Sequence, residues 1–229
     1  MRGAARLILG LAVAGFIATA PAGAATSREI LTNAAFVTQD KAQALAQIDS
    51  ALQLSLAALA RDPHDREAQL QQAIAIGYRA KLKHGFADAK EARRLMEVLI
   101  AQDPNNAEAH AALAGWHLDA VAQLGNFVAR TMLGAKKDDG LAELDTALRL
   151  GGNRALFPAM AALTRIQVDR GDVVAARALA ARATTAETPT VVDRVLQKAA
   201  ATLLPPLRQN DGRTAQAMAE RLLPFGRLN

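Results

Sequence analysis

The sequence contains no cysteine. Disulfide bonds, thiolate metal sites and cysteine catalysis are therefore excluded. A lipoprotein anchor is excluded as well, because its lipid needs a cysteine at the cleavage point. A chain of 229 residues is nevertheless long enough to build a hydrophobic core without cross-links.

Aromatic residues are scarce, and the two signs of charge are nearly balanced. The chain has one Trp, one Tyr and six Phe, and its 27 basic and 22 acidic residues are spread along it. A nucleic-acid site needs a basic stripe, often with aromatic rings that stack on bases. The sequence has neither feature, so we do not expect a nucleic acid as a partner.

Long uncharged runs are absent except at the N-terminus. Two arginines in Met1–Arg6 precede the 14 uncharged residues Leu7–Ala20, and Ala22-Gly23-Ala24 has the small-residue pattern that signal peptidase cleaves. Spanning a bilayer as a helix takes roughly 20 apolar residues, so this run is short for an anchor. We predict a cleaved signal peptide at 1–24 and a periplasmic mature protein without a membrane span. An uncleaved anchor is the alternative.

No set of residues matches a known catalytic or metal-binding motif. The sequence has no nucleophile elbow, no phosphate-binding glycine loop and no paired-histidine metal helix. His110 and His117 share a helix face but stand about 10 Å apart along its axis, too far for one metal ion. We therefore predict that the protein is not an enzyme and uses no cofactor or metal. An enzyme of an unfamiliar type is a further alternative.

Amphipathic helices are predicted for almost the whole chain after the signal segment. Residues Gln39–Arg61 place apolar side chains at three- and four-residue steps, which is one face of a helix. The corners Asp62-Pro63 and Asp103-Pro104 each stand between two such helices, and Asp65 and Asn106 are the expected N-caps of the helices that follow. No alternating strand pattern occurs, so we predict an all-α fold.

Further helix ends are predicted from single residues. We expect a kink at Gly125-Asn126 and a helix end at Gly134. The remaining predictions are a cap at Thr38, a capping box formed by Asp88 and Glu91, a cap at Asp138 or Asp139, and a break at Pro205-Pro206 between the last two helices, Val191–Leu204 and Arg213–Leu223.

The tract from Glu91-Ala92 through Asp103-Pro104-Asn105-Asn106 to Leu113 resembles the tetratricopeptide repeat family. A small residue, Ala51 or Ala92, stands twelve positions before each corner proline, as in that family. The resemblance implies one domain over 25–229, an α-solenoid of stacked antiparallel helix hairpins. Its units are 38–65, 66–105, 106–153 and 154–189, followed by capping helices in 190–229.

The resemblance also implies a concave groove lined by the first helix of each hairpin. The matching positions, with the neighbouring Trp116, are Leu70, Ile74, Tyr78, Ala111, Gly115, Trp116, Leu118, Leu163 and Ile166. A groove this apolar suits a partner helix or peptide, or an apolar small ligand. We expect a non-catalytic scaffold or adaptor that binds cell-envelope proteins. The alternatives are that the groove is narrow and simply packed, and that Trp116 fills a gap between hairpins.

A second resemblance covers the run from Leu124-Gly125 through Leu133-Gly134-Ala135 to Ala147-Leu148. This run is similar to helical-hairpin proteins of the periplasm that are associated with tripartite ATP-independent transporters. The similarity implies an alternative function, a ligand-binding accessory component of solute transport. Those proteins usually carry a lipid on a cysteine, which this chain lacks. We also predict that the overlong segment 120–134 forms a contact in a homo-oligomer.

Overall fold

The computed structural model describes residues 25–228, and ten α-helices cover most of this range. They are α1 Ser27–Phe36, α2 Lys41–Arg61, α3 Arg66–Lys83, α4 Phe86–Gln102, α5 Ala107–Val128, α6 Lys137–Leu150, α7 Leu156–Val168, α8 Val173–Thr185, α9 Val191–Arg208 and α10 Gly212–Leu222. A π-helical segment, Ala129–Leu133, follows α5. Within residues 25–228 there is no β-strand, so the predicted all-α fold is confirmed.

The helices pack as five adjacent pairs, from α1 with α2 to α9 with α10. The second helix of each pair also contacts the first helix of the next pair, which is how a solenoid buries a continuous core. The odd-numbered helices form an inner row in which each contacts the next. Helix α1 contacts both α3 and α9, so this row closes into a ring.

The two ends of the described chain meet where the ring closes. The Phe225 N–H donates to the Ala35 carbonyl oxygen at 2.7 Å. The Phe225 ring packs edge-on against Tyr78, with ring centroids 4.9 Å apart. The C-terminal tail therefore packs against α1 and α3, which belong to the first two helix pairs. Helix α1 also contacts α9 of the last pair.

Side-chain caps explain where many of the helices begin. Asp65 accepts a hydrogen bond from the Ala68 N–H, and Asn106 accepts one from the Ala109 N–H, so both predicted N-caps are confirmed. His84 adopts a left-handed conformation, with φ of 54°, at the end of α3. The N-caps Asp65 and Asn106 were predictable because a capping side chain acts within one helical turn.

Three other predicted caps are wrong. Asp40 caps α2, and the Thr38 hydroxyl donates to Gln47 instead. Asp88 lies inside the first turn of α4, where it pairs with Arg79 at 2.8 Å. Asp138 and Asp139 also lie in a first turn, because α6 already begins at Lys137. In α4 and α6 an acid favours the positive end of the helix dipole without acting as the cap.

Helix α1 was missed altogether. It begins at a capping box of Thr26 and Glu29 and buries Leu31, Ala34 and Phe36. The predicted break at Pro205-Pro206 is also wrong, since α9 continues through both prolines to Arg208. Each proline removes one backbone donor near the helix end, and burial of side chains such as Leu207 outweighs that loss.

The kink predicted at Gly125-Asn126 lies within α5 and is confirmed. Gly125 has φ of 76° and ψ of 158°, which interrupts the helix, and Gly134 ends the π-helical segment with φ of 71°. Only glycine adopts such angles readily. The returning segment buries Ala129, Leu133 and Ala135 against Val121 of α5.

The predicted signal peptide at 1–24 lies outside the described residues. Within 25–228, none of the helices combines the length and the apolar character that a membrane crossing needs.

Candidate functional site

A cavity of about 280 Å³ lies inside the ring of odd-numbered helices. Small-molecule sites in proteins typically measure about 300–1,000 Å³, so this one is near the lower end of that range. All five inner helices contribute to the wall, together with residues of α4 and Leu223-Pro224 of the tail. The larger apolar side chains of the wall are Leu31, Phe36, Ile74, Tyr78, Phe86, Met96, Trp116, Leu124, Leu133, Leu156, Met160, Val192, Leu196 and Leu223.

Helical periodicity brings the wall residues of each helix together. In α3 they include Ile74, Gly77, Tyr78 and Lys81, whose spacing of three and four residues defines one face. The matching stripe of α5 is rich in small residues: Ala111, Ala112, Gly115 and Ala120. Because these side chains reach only a short way into the ring, space remains at its centre.

Gly115 of α5 lies close to Met160 of α7. A Cβ atom at this position would lie 2.7 Å from the Cε atom of Met160 on α7. A larger residue would therefore displace the Met160 side chain, which itself lines the cavity. Because Cε is the flexible end of the Met160 side chain, this side chain can move to make room.

A network of charged side chains closes one part of the ring. Arg28 of α1 pairs with Glu67 of α3 and Glu108 of α5, at 2.5 and 2.7 Å. Arg154 joins Glu108 to Asp193 of α9, at 2.6 and 3.0 Å. These bonds tie four of the five inner helices together across the closure.

Asp193 is the most buried member of this network. Burial opposes its ionisation, but the hydrogen bonds from the Thr190 hydroxyl, Arg154 and the Leu156 N–H outweigh burial and lower the pKa of Asp193. The ionised carboxylate is thus the stable form inside the protein.

A second charged pair, Lys81 and Asp119, lies in the cavity wall with 2.6 Å between its nitrogen and oxygen atoms. Tyr78, one turn before Lys81 on α3, also lines the cavity. Burial, and then the negative charge of Asp119, raise the pKa of Tyr78, so its hydroxyl keeps its proton. Among residues 25–228, no protein group forms a hydrogen bond with this hydroxyl.

The structure brings five of the nine predicted groove residues into the cavity wall: Ile74, Tyr78, Ala111, Gly115 and Trp116. The other four, Leu70, Leu118, Leu163 and Ile166, are buried core residues instead. Leu118, for example, packs with Leu144 of α6. Each inner helix has one face towards the cavity and another towards its paired helix. These four residues lie in the core and not on the cavity face.

Trp116 has two sets of contacts. Its ring lines the cavity, while its Nε1–H donates to the Ala89 carbonyl oxygen of α4 at 2.8 Å. The Arg93 guanidinium lies over the ring, 5.5 Å from its centroid. The residue therefore fills the gap between α4 and α5, as the alternative interpretation expected, and also presents an aromatic surface to the cavity.

Sequence reasoning missed the wall residues from both ends of the chain. Arg28, Leu31 and Phe36 lie on α1, and Leu223 and Pro224 lie in the tail. The Thr26 and Glu29 capping box is a local signal that could have revealed α1. The proximity of the tail to α1 has no local signal in the sequence.

The residues that could perform chemistry do not converge in the described structure. Within residues 25–228, no three His, Asp or Glu side chains are placed to hold a metal ion. His110 pairs with Glu143, and His117 accepts a hydrogen bond from the Lys136 N–H at 3.1 Å. The two acids of the cavity wall, Glu108 and Asp119, each pair with a basic residue.

The segment 120–134, predicted as an oligomer contact, carries exposed apolar side chains. Phe127 is 81 % exposed, and Val128 and Met132 are also exposed. The homo-oligomer contact stays a prediction.

No model of a known protein family matches this chain. No curated protein and no solved structure matches it either.

Proposed function

We propose that this chain is a non-catalytic binding protein that holds a small, mainly apolar ligand in the cavity of its helical ring. The observation that carries the proposal is the wall itself, in which aliphatic and aromatic side chains from all five inner helices converge on one space. Each CH₂ group that a ligand buries there contributes about 0.8 kcal/mol of transfer free energy. A few convergent polar groups, the usual companions of such a wall, are also present.

A partner helix in an open groove fits the geometry less well. A helix with its side chains is about 10–12 Å across. A cavity of about 280 Å³ is too small for such a cylinder unless the inner helices move apart. A small ligand requires no such rearrangement of the backbone.

The cellular role that suits such a protein is an accessory component that binds a solute in the periplasm. This role depends on the signal peptide predicted at 1–24 and on the resemblance to transporter-associated hairpin proteins. The binding activity itself depends on neither and can be tested with the purified protein.

The test is binding of N-phenylnaphthylamine, a neutral dye whose fluorescence rises when it leaves water. We expect saturable binding of the dye, accompanied by a change in Trp116 emission, because Trp116 lines the cavity. Ala112 lines the cavity from α5, whereas Ala122 is an exposed residue of the same helix. Ala112→Phe should fill the space and weaken dye binding at least about tenfold, since a tenfold change corresponds to only 1.4 kcal/mol.

Ala122→Phe is the matched control, because it adds the same ring to the outer surface. Circular dichroism of both variants shows whether the helices are intact. If Ala112→Phe folds and binds the dye as well as Ala122→Phe does, the dye sits elsewhere and the proposal is wrong.

A further inference from the structure

We infer that the ligand carries no net charge and presents a single hydroxyl or carbonyl group to Tyr78. This inference rests on the proposed function and specifies the chemical class of the ligand. It is drawn from the pairing of every ionised side chain in the cavity wall and from the Tyr78 hydroxyl, which lines the cavity and has no hydrogen bond to residues 25–228.

The charges of the wall cancel. Arg28 and Lys81 are its basic side chains apart from the exposed His84, and Glu108 and Asp119 are its acidic ones. Arg28 bonds to Glu108 at 2.7 Å, and Lys81 bonds to Asp119 at 2.6 Å. A charged ligand would lose its water of hydration without gaining a free counter-charge, which is strongly unfavourable in an apolar cavity.

Most uncharged polar groups of the wall are also occupied. The hydroxyls of Thr32 and Thr164 donate to carbonyl oxygens of their own helices, at 2.8 Å each. The amide of Gln71 donates to Glu67 at 3.1 Å, and that of Gln123 donates to Asp119. These groups hold the wall together and have less capacity left for a ligand.

Tyr78 differs from them. Its ring is fixed edge-on against Phe225, while its hydroxyl has no hydrogen-bond partner among residues 25–228. A ligand that displaces water from this hydroxyl would leave it without a partner, which is unfavourable, unless a ligand oxygen accepts its proton. The side-chain amide of Gln167, on α7, also lines the cavity without a hydrogen bond in this range, so it is the alternative donor to a ligand oxygen.

The experiment is displacement of N-phenylnaphthylamine by heptanol, heptanoate and heptylammonium at neutral pH. The three share one alkyl chain and differ in the charge of the head group. We expect heptanol to displace the dye at a concentration at least about tenfold lower than either ion does, given the cost of burying an unpaired charge.

Two variants locate the polar contact. Tyr78→Phe keeps the ring against Phe225 and removes only the hydroxyl, so heptanol should bind about 3- to 10-fold more weakly, the effect of one lost hydrogen bond. Gln167→Leu removes the alternative donor of the wall and should weaken heptanol binding less than Tyr78→Phe does; a larger loss in Gln167→Leu would overturn the assignment to Tyr78. Melting temperatures of both variants show whether they remain folded.

The inference is overturned if either ion displaces the dye more effectively than heptanol does. It is equally overturned if folded Tyr78→Phe binds heptanol as the unmodified protein does. If the unmodified protein does not bind the dye at all, the proposed function fails, and with it the basis of the inference.

Discussion

His117 shows how a single buried side chain makes the stability of this protein depend on pH. The residue is 2 % exposed, and its Nδ1 atom accepts a hydrogen bond from the Lys136 N–H, which requires an unprotonated nitrogen. Burial, followed by the positive charge of Arg93, lowers the pKa of His117 below the usual 6.5. The unfolded chain therefore binds this proton more readily than the folded one.

The free energy of unfolding should accordingly fall as the pH drops below about 6.5, because protonation then favours the unfolded state. His117→Asn preserves an acceptor for the Lys136 N–H and removes the titration, so the stability of this variant should change less between about pH 7 and pH 5. Urea unfolding at several pH values measures the free energy of unfolding of the unmodified protein and of His117→Asn. His64→Asn, at an exposed corner, is the control and should keep the full pH dependence. An unchanged slope in His117→Asn would contradict the assignment.

At the scale of elements, the carboxylate of Asp193, in the first turn of α9, also forms hydrogen bonds with two other parts of the chain. Asp193 is fully buried and accepts hydrogen bonds from Thr190 at its own helix start, from Arg154 and from the Leu156 N–H at the start of α7. Asp193→Ala leaves these donors without their acceptor. We expect the free energy of unfolding to fall by about 3–5 kcal/mol, as when one member of a buried ion pair is removed.

Asp138→Ala is the matched control for this change. Asp138 also lies in a first helical turn, but it is exposed, so its removal should cost less than about 1 kcal/mol. Urea denaturation of the two variants provides the comparison. Similar losses in both would mean that the links from Asp193 to Arg154 and Leu156 contribute little.

The elements differ in how far the sequence alone could predict them. The N-caps predicted at Asp65 and Asn106 were correct because each side chain accepts a hydrogen bond from a backbone N–H within its own turn. Helix α1 was missed because ten residues are too few to form a stable helix alone, so its stability comes from the helices around it. The break predicted at Pro205-Pro206 was wrong because burial of the α9 face outweighs the tendency of proline to end a helix.

At the scale of the whole molecule, the ring is what sequence reasoning could least anticipate. Ile74 and Tyr78 on α3, with Ala111 and Gly115 on α5, were placed in a common wall because neighbouring repeats present equivalent positions. The contact of Phe225 with Ala35 and Tyr78 joins residues far apart in the chain, and no periodicity encodes it. Closure of the ring places the inner helices around a central space, instead of along the open groove that the resemblance implied.

Phe225 holds this closure in place. It is a buried aromatic residue, its ring packs against Tyr78, and its backbone has φ of 67°, an unfavourable conformation for a non-glycine residue. Such a conformation persists only where surrounding contacts outweigh its cost. The preceding residues Leu223 and Pro224 form part of the cavity wall, so movement of the tail would remove that part of the wall.

We therefore predict two effects of Phe225→Ala. The free energy of unfolding should fall by about 3 kcal/mol, the lower range for removing a buried phenylalanine ring. Bound N-phenylnaphthylamine should also dissociate faster, because the tail no longer holds Leu223 and Pro224 over the cavity; stopped-flow fluorescence measures the rate. Arg227→Ala, an exposed change in the same tail, should alter neither quantity. Reduced stability with an unchanged dissociation rate would show that the ligand enters elsewhere and that the tail only supports the fold.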